Sequence, residues 1–193
     1  MEEILQSSQT FELKVEELDR AIEKFPVFQS LSEVLFDLLL VRFLYMEASL
    51  LDPDYLESEE WNEIEEKYID RGTEMLNLFL YLQECKDENI DPDMDDFLQE
   101  FLLVEDDSFS DEQVMYEPFI ENADLVQAEM EEVINAGNAL PADHPVKEIF
   151  IPFFLFLMND VSFEDRKNTI RSKSDQADLC TAYFCCLDSF YQN

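Results

Sequence analysis

The chain has 193 residues, 47% hydrophobic and 13% aromatic, yet 47 Asp and Glu stand against 12 Lys and Arg for a formal charge of −35. Highly charged disordered chains lack the apolar side chains to build a core, and the 17 Phe and 7 Tyr here exclude that class. Twelve scattered cations argue against direct binding to DNA, RNA or an anionic membrane, each of which needs a basic face, and point instead to cations or basic proteins as partners.

The length suits one domain with one core. The acidic start, Met1-Glu2-Glu3-Ile4-Leu5, has no basic region followed by an apolar run and a cleavage site, so the chain is expected to stay in the cytoplasm. The richest apolar stretch, Leu31 to Leu51, carries Glu33, Asp37, Arg42 and Glu47, each costly at membrane depth, and reads as a buried helix rather than a span. Two glycines are too few for a sheet protein with many tight turns, and apolar residues recur at three- and four-residue spacing. The predicted fold is all-α: a compact single-domain bundle of seven to nine helices around a buried central helix at about 31–51.

In chain order, the first helix is predicted from Thr10 to before Pro26, with an apolar stripe of Phe11, Val15, Leu18, Ile22 and Phe25. The central helix follows from a Ser30/Glu33 capping box. Ser58 caps a long third helix ending near Cys85, on which Trp61, Ile64, Tyr68, Gly72, Met75, Phe79 and Leu82 repeat. Asp91-Pro92 reads as a cap followed by proline at the first helical position, ahead of a stripe from Met94 to Leu102. After an acidic loop, Ser110 and Gln113 offer a capping box, Pro118 restarts or kinks one helix or two, and Gly137 is a C-terminal stop. Asp143-His144-Pro145 opens an apolar run with Pro152 inside it, read as a kinked buried helix with strand as the alternative. Ser162 with Asp165 caps a short polar helix, and Asp175 caps the last one to Tyr191.

The charge is regional. Residues 1–50 carry 4 basic and 10 acidic side chains, 51–144 carry 3 and 30, and 145–193 carry 5 and 7. The middle segment therefore has a net charge of −27, which calls for a physical reason, because like charges one turn apart cost helix stability. On the third helix the acids find no matching cations at four-residue spacing except Lys67, expected to pair with Glu63, and Arg71. The leading expectation is a non-catalytic protein that docks on a basic protein through carboxylates within 57–70 and 87–112: Glu57, Glu59, Glu60, Glu63, Glu66 and Asp70, then Asp91, Asp93, Asp95, Asp96, Glu105, Asp106, Asp107, Asp111 and Glu112, with Phe109 as an apolar anchor in the acidic loop. Carboxylates on helices can imitate the phosphate spacing of a duplex, so the basic partner is expected to be a nuclease or another nucleic-acid-binding effector. Immunity, anti-restriction, anti-CRISPR and DNA-mimic proteins share that logic.

Two alternatives stand beside it. Glu63-x-x-Glu66 and Glu84-x-x-Asp87 resemble the paired acidic motifs by which all-α nucleotide pyrophosphatases hold Mg²⁺, carboxylates three residues apart sharing a helix face. In that family the second motif lies within a continuing helix, whereas here it runs into the Asn89–Pro92 turn. The other alternative is an acidic soluble helical protein with no charge-driven partner. Catalytic machinery is otherwise sparse: one histidine, His144, reads as a capping-region surface residue, and Gly72 and Gly137 stand alone, so no phosphate-cradling loop and no cofactor are expected. Asp91, Asp93 and Asp95 do not make a calcium loop, since the twelfth position from Asp91 is Leu102. Cys85, Cys180, Cys185 and Cys186 lack zinc spacing and read as core thiols. Trp61 reads as a core anchor before a partner contact.

Overall fold

The computed structural model describes residues 10–48, 50–51, 58–68, 71–102 and 114–192. Among them there is no strand, and ten α-helices alternate with short 3₁₀ and π turns, so the fold is all-α. Eight of the helices have ten residues or more. Packing groups the chain into two compact units, one ending at Leu80 and one beginning at Tyr81. No linker composition announces that boundary, because it falls inside a helix.

In the first unit, α1 (Phe11–Lys24) buries Phe11, Leu18 and Ile22 as its spacing predicts, with Lys14 buried on the same helix. Phe25, expected to complete the stripe, is 55% exposed, because the helix stops at Lys24 and Pro26 opens a 3₁₀ turn, Pro26–Leu31, that buries none of its residues. That turn takes up Ser30 and moves the start of α2 to Ser32 (Ser32–Ala48). Val34, Leu39, Leu40, Val41 and Leu44 of α2 are buried, while Tyr45 and Met46 are exposed. The Phe11 ring lies 4.6 Å from Phe43 and 5.1 Å edge-on from Tyr68, which ties α1, α2 and the next helix together.

The predicted third helix is two helices, α3 (Glu59–Tyr68) and α4 (Glu74–Glu88). Ser58 caps α3 as expected, its Oγ accepting the Trp61 N–H at 3.1 Å. The break has local and distant causes. Gly72 has no room for a Cβ, which would sit 2.2 Å from Leu76 Cδ2, and Thr73 Oγ1 accepts the Met75 N–H at 3.3 Å as a new N-cap. Thr73 is itself held by Asp37 of α2, 36 residues away, through its N–H and its hydroxyl. α4 runs past Cys85 and ends in a Schellman motif, with Asn89 at φ 56°, the Ile90 N–H on the Cys85 carbonyl and the Asn89 N–H on that of Lys86.

In the second unit, the cap of α5 (Met94–Asp96) is Asp93 and not Asp91: Asp93 Oδ1 accepts the Asp95 N–H at 2.8 Å. The helix continues as a π turn, Phe97–Phe101. The stretch around Pro118 resolves into a 3₁₀ turn (Val114–Tyr116), α6 (Glu117–Glu121), a second 3₁₀ turn (Ala123–Gln127) and α7 (Met130–Ala139). Gly137 does not stop α7. It is buried within it, and a Cβ there would lie 2.3 Å from Ile151 Cγ1 and 2.8 Å from Cδ1. The glycine therefore permits close approach of α7 to α8 (Lys147–Leu157). Gly137→Ala is expected to destabilise the fold by up to about 2 kcal/mol in urea titrations, an overpacking cost of about 1–3 kcal/mol being partly offset by the gain of about 1 kcal/mol in helix propensity.

α8 carries the apolar run as a helix with Pro152 inside it, and nine of its eleven residues are buried. It packs chiefly against α10 (Ala177–Gln192), which in turn contacts α9 (Phe163–Lys173). Ser162 caps α9 as predicted, accepting the Asp165 N–H at 3.2 Å while its hydroxyl donates to the Asp165 carboxylate. Asp175 does not fill the cap role expected before α10: its carboxylate takes Lys147, and the hydroxyl oxygen of Ser174 accepts the Gln176 N–H. Two buried cations close helix C-termini. Lys147 Nζ donates to the carbonyls of Gly137 at 2.8 Å and Asn138 at 3.1 Å, and Arg166 donates to those of Leu155 at 2.9 Å and Phe156 at 2.8 Å.

Candidate functional site

The carboxylates expected to meet a partner fall into three groups. Glu57, Asp70, Glu105, Asp106, Asp107, Asp111 and Glu112, with Phe109, lie outside the described residues. Glu59, Glu60, Glu63 and Glu66 are exposed on α3, in the first unit. Asp91, Asp93 and Asp95 are exposed and Asp96 is half-buried at the start of α5, in the second.

On α3 the geometry follows from the helical period. Trp61 and Tyr68 are buried and Ile64 is half-buried, which fixes the inward face. Glu59, Glu63 and Glu66 fall at successive turns of the outward face, and Glu60 adjoins Glu63 at three-residue spacing. Trp61 is 8% exposed and anchors α3 inward.

Lys67 does not pair with Glu63. Its Nζ donates to Glu12 Oε1 of α1 at 3.0 Å and to Tyr68 OH at 2.5 Å, and Tyr68 OH donates to the same Glu12 oxygen at 2.9 Å. The Glu12 backbone N–H, then Lys67 and Tyr68, hold the Glu12 carboxyl down at about 2. Tyr68, then Glu12, raise the Lys67 ammonium above its ordinary value. The lysine of the acidic helix thus serves α1. Among the described residues, ion pairs join Arg20 to Glu16, Lys67 to Glu12, Lys147 to Asp175, Lys167 to Glu164 and Lys173 to Glu131, and none reaches an α3 carboxylate on 59, 60, 63 or 66.

The second group is partly structural, since Asp93 serves as the helix cap, while Asp91 and Asp95 face solvent. Exposed carboxylates that were not singled out in the sequence continue through Glu117, Glu121, Asp124, Glu129, Glu131 and Glu132. The regional count to residue 144 held that signal, but single positions on short 3₁₀ and α pieces have no periodicity to sort inward from outward faces.

The other candidates behave more simply. Glu63, Glu66, Glu84 and Asp87 are exposed, Asp87 accepts the Gln83 amide at 3.1 Å, and among the described residues no group of three or more His, Cys, Asp and Glu is placed to hold a metal ion. Burial, then Glu88, pushes the Glu84 carboxyl up. His144 is half-buried at the entry to α8, its Nδ1 accepting the Val146 N–H at 3.4 Å, in keeping with a capping role. All four thiols are free. Cys85 and Cys180 are buried and Cys185 and Cys186 half-buried, and burial raises each thiol, that of Cys186 to about 11, away from the thiolate form that nucleophilic chemistry requires. Among the described residues no helix is long and apolar enough to cross a membrane. Comparison with protein-family models, with curated proteins and with solved structures finds no match to this chain.

Proposed function

We propose that the protein is a non-catalytic acidic binding protein whose α3 carboxylates dock on a basic protein surface, of the kind a nuclease or other nucleic-acid-binding effector presents to phosphates. One observation carries this reading: Glu59, Glu60, Glu63 and Glu66 are exposed on a single ten-residue helix whose lysine is drawn away to Glu12. Carboxylates at this spacing repel one another in the free protein, and a cationic surface relieves that repulsion while gaining attraction of its own. Such a face also steers encounter with basic partners, an effect that fades as salt shortens the screening length.

The test is a pull-down from source cells at roughly 50 mM and 500 mM salt, a range over which the Debye length falls severalfold. A basic nucleic-acid-binding protein is expected at low salt, displaced by added duplex DNA and released at high salt. The combined Glu59→Gln, Glu60→Gln, Glu63→Gln and Glu66→Gln variant keeps helix propensity and is expected to lose at least about fourfold and up to several hundredfold in affinity, four exposed pairs contributing roughly 0.2–1 kcal/mol each. Capture of no partner at any salt would overturn the reading. It would favour the second one, that the acidity serves solubility alone, which the spread of exposed carboxylates through Glu117–Glu132 supports.

A further inference from the structure

Asp37 is a carboxylate in the wrong place for either reading. It lies on α2 and is 0% exposed, and among the described residues no ion pair reaches it. Its partner is Thr73, whose N–H donates to Oδ1 at 3.2 Å and whose hydroxyl donates to Oδ2. Thr73 is also the residue on which α4 begins, its Oγ1 accepting the Met75 N–H and its carbonyl accepting the Leu76 N–H at 2.9 Å. One buried carboxyl therefore fastens α2 to the point where α3 and α4 part.

The surrounding charges leave that carboxyl uncompensated. Glu33, one turn earlier on α2, and Glu74, at the first position of α4, both disfavour a negative charge on it. The cations of the neighbouring elements are placed elsewhere: Arg71 in the break lies over the rings of Phe11 and Phe36 at 5.6 and 5.4 Å, Lys67 on α3 is bonded to Glu12, and Lys14 is buried on α1.

We propose that the Asp37–Thr73 contact is a proton-operated latch, closed and dry while Asp37 is protonated, and opening the start of α4 at Thr73 to water when that proton leaves. The idea stands independently of what α3 binds. Burial first, and the Glu33 and Glu74 charges, push the Asp37 carboxyl from its ordinary 3.8 up to about 6, against the two hydrogen bonds from Thr73 that favour the charged form. Because the closed-state value is the raised one, the closed state binds more protons than the open state between these limits. The latch is therefore tightest below about pH 4, weakens as pH rises towards 6, and is weakest above it. A gap of about two pH units corresponds to about a hundredfold change in the opening equilibrium.

Hydrogen exchange on the full chain, followed at the Thr73, Met75 and Leu76 amides from pH 4 to pH 8 and corrected for intrinsic exchange, tests this. Wild-type protection is expected to fall by about a hundredfold between about pH 4 and pH 6, with its midpoint near pH 5, and to level off above that, and Asp37→Asn, which keeps an oxygen for the Thr73 N–H but has no proton to lose, is expected to give a flat profile. Thr73→Val removes one bond to the charged form and is expected to shift the midpoint to higher pH, so it decides the matter even where Asp37→Asn fails to fold. Matching profiles in wild type and Asp37→Asn, or an unshifted midpoint in Thr73→Val, would overturn the latch.

Discussion

Replacing Lys147 with methionine is expected to cost about 3–5 kcal/mol, the range typical of removing one partner from a buried charged cluster. The Lys147 side chain is 3% exposed and Nζ has three acceptors: the Gly137 and Asn138 carbonyls at the end of α7, and Asp175 Oδ2 at 3.1 Å. Methionine fills similar volume, so the loss is not a cavity. It is the loss of charge-assisted bonds to two main-chain carbonyls: that of Gly137 keeps the Leu140 N–H at 3.2 Å, and that of Asn138 gives up the ammonium as donor, a desolvation worth about 1–3 kcal/mol. The Asp175 side chain is 48% exposed and can turn to water, which limits its share. Asp175→Asn alone is accordingly expected to cost under about 1 kcal/mol. Urea titration of the two variants separates these contributions, and a Lys147→Met cost below about 1 kcal/mol would mean that water replaces the ammonium.

Lys147 also marks where sequence reading stops. A lysine at the start of an apolar run carries no local sign of its partners, and its role depends on α7 ending against α8 and on a carboxylate 28 residues further on. Gly137 failed in the same way: glycine near the end of an apolar pattern is read as a stop, and it is instead the point where Ile151 approaches. The parting of α3 and α4 has its fastening on Asp37, 36 residues back, and nothing within 58–85 reveals it. Local chemistry was legible because its partners are local. Ser58 caps the helix that follows it, and Ser162 caps the one that its three-residue spacing to Asp165 implies.

The acidic face of α3 belongs with the legible part. Once Trp61 and Tyr68 are placed inward, the helical period leaves Glu59, Glu63 and Glu66 outward, whatever else the chain does. The direction of Lys67 was not legible, since four-residue spacing favours Glu63 and only the fold brings Glu12 within reach. This difference raises the charge density of the candidate surface above what the sequence implies, because the cation assigned to it is absent from it.

Phe119→Ala is expected to cost about 3–5 kcal/mol, at the upper end for core truncations. The residue is 0% exposed, and its ring lies 5.4 to 6.3 Å from those of Tyr116, Phe97, Phe150, Phe153 and Phe154, stacking on the last at an angle of 13°. Its helix, α6, has five residues, too few to hold itself by backbone bonding, so Phe119 and the adjacent buried Pro118 keep it in place. Truncation thus removes a large side chain and unfastens a segment bearing the exposed Glu117 and Glu121. Phe119→Leu retains most of the apolar volume but loses the ring contacts, and is expected to cost about 1–2 kcal/mol. Hydrogen exchange at 114–127 separates two consequences of the alanine change. If α6 is a passenger, protection falls there while the α8 amides keep theirs. With five rings meeting on Phe119, three of them from α8, the expected result is that α8 loses protection in step with α6, because the helix that buries nine of its eleven residues then faces a void no neighbour can fill.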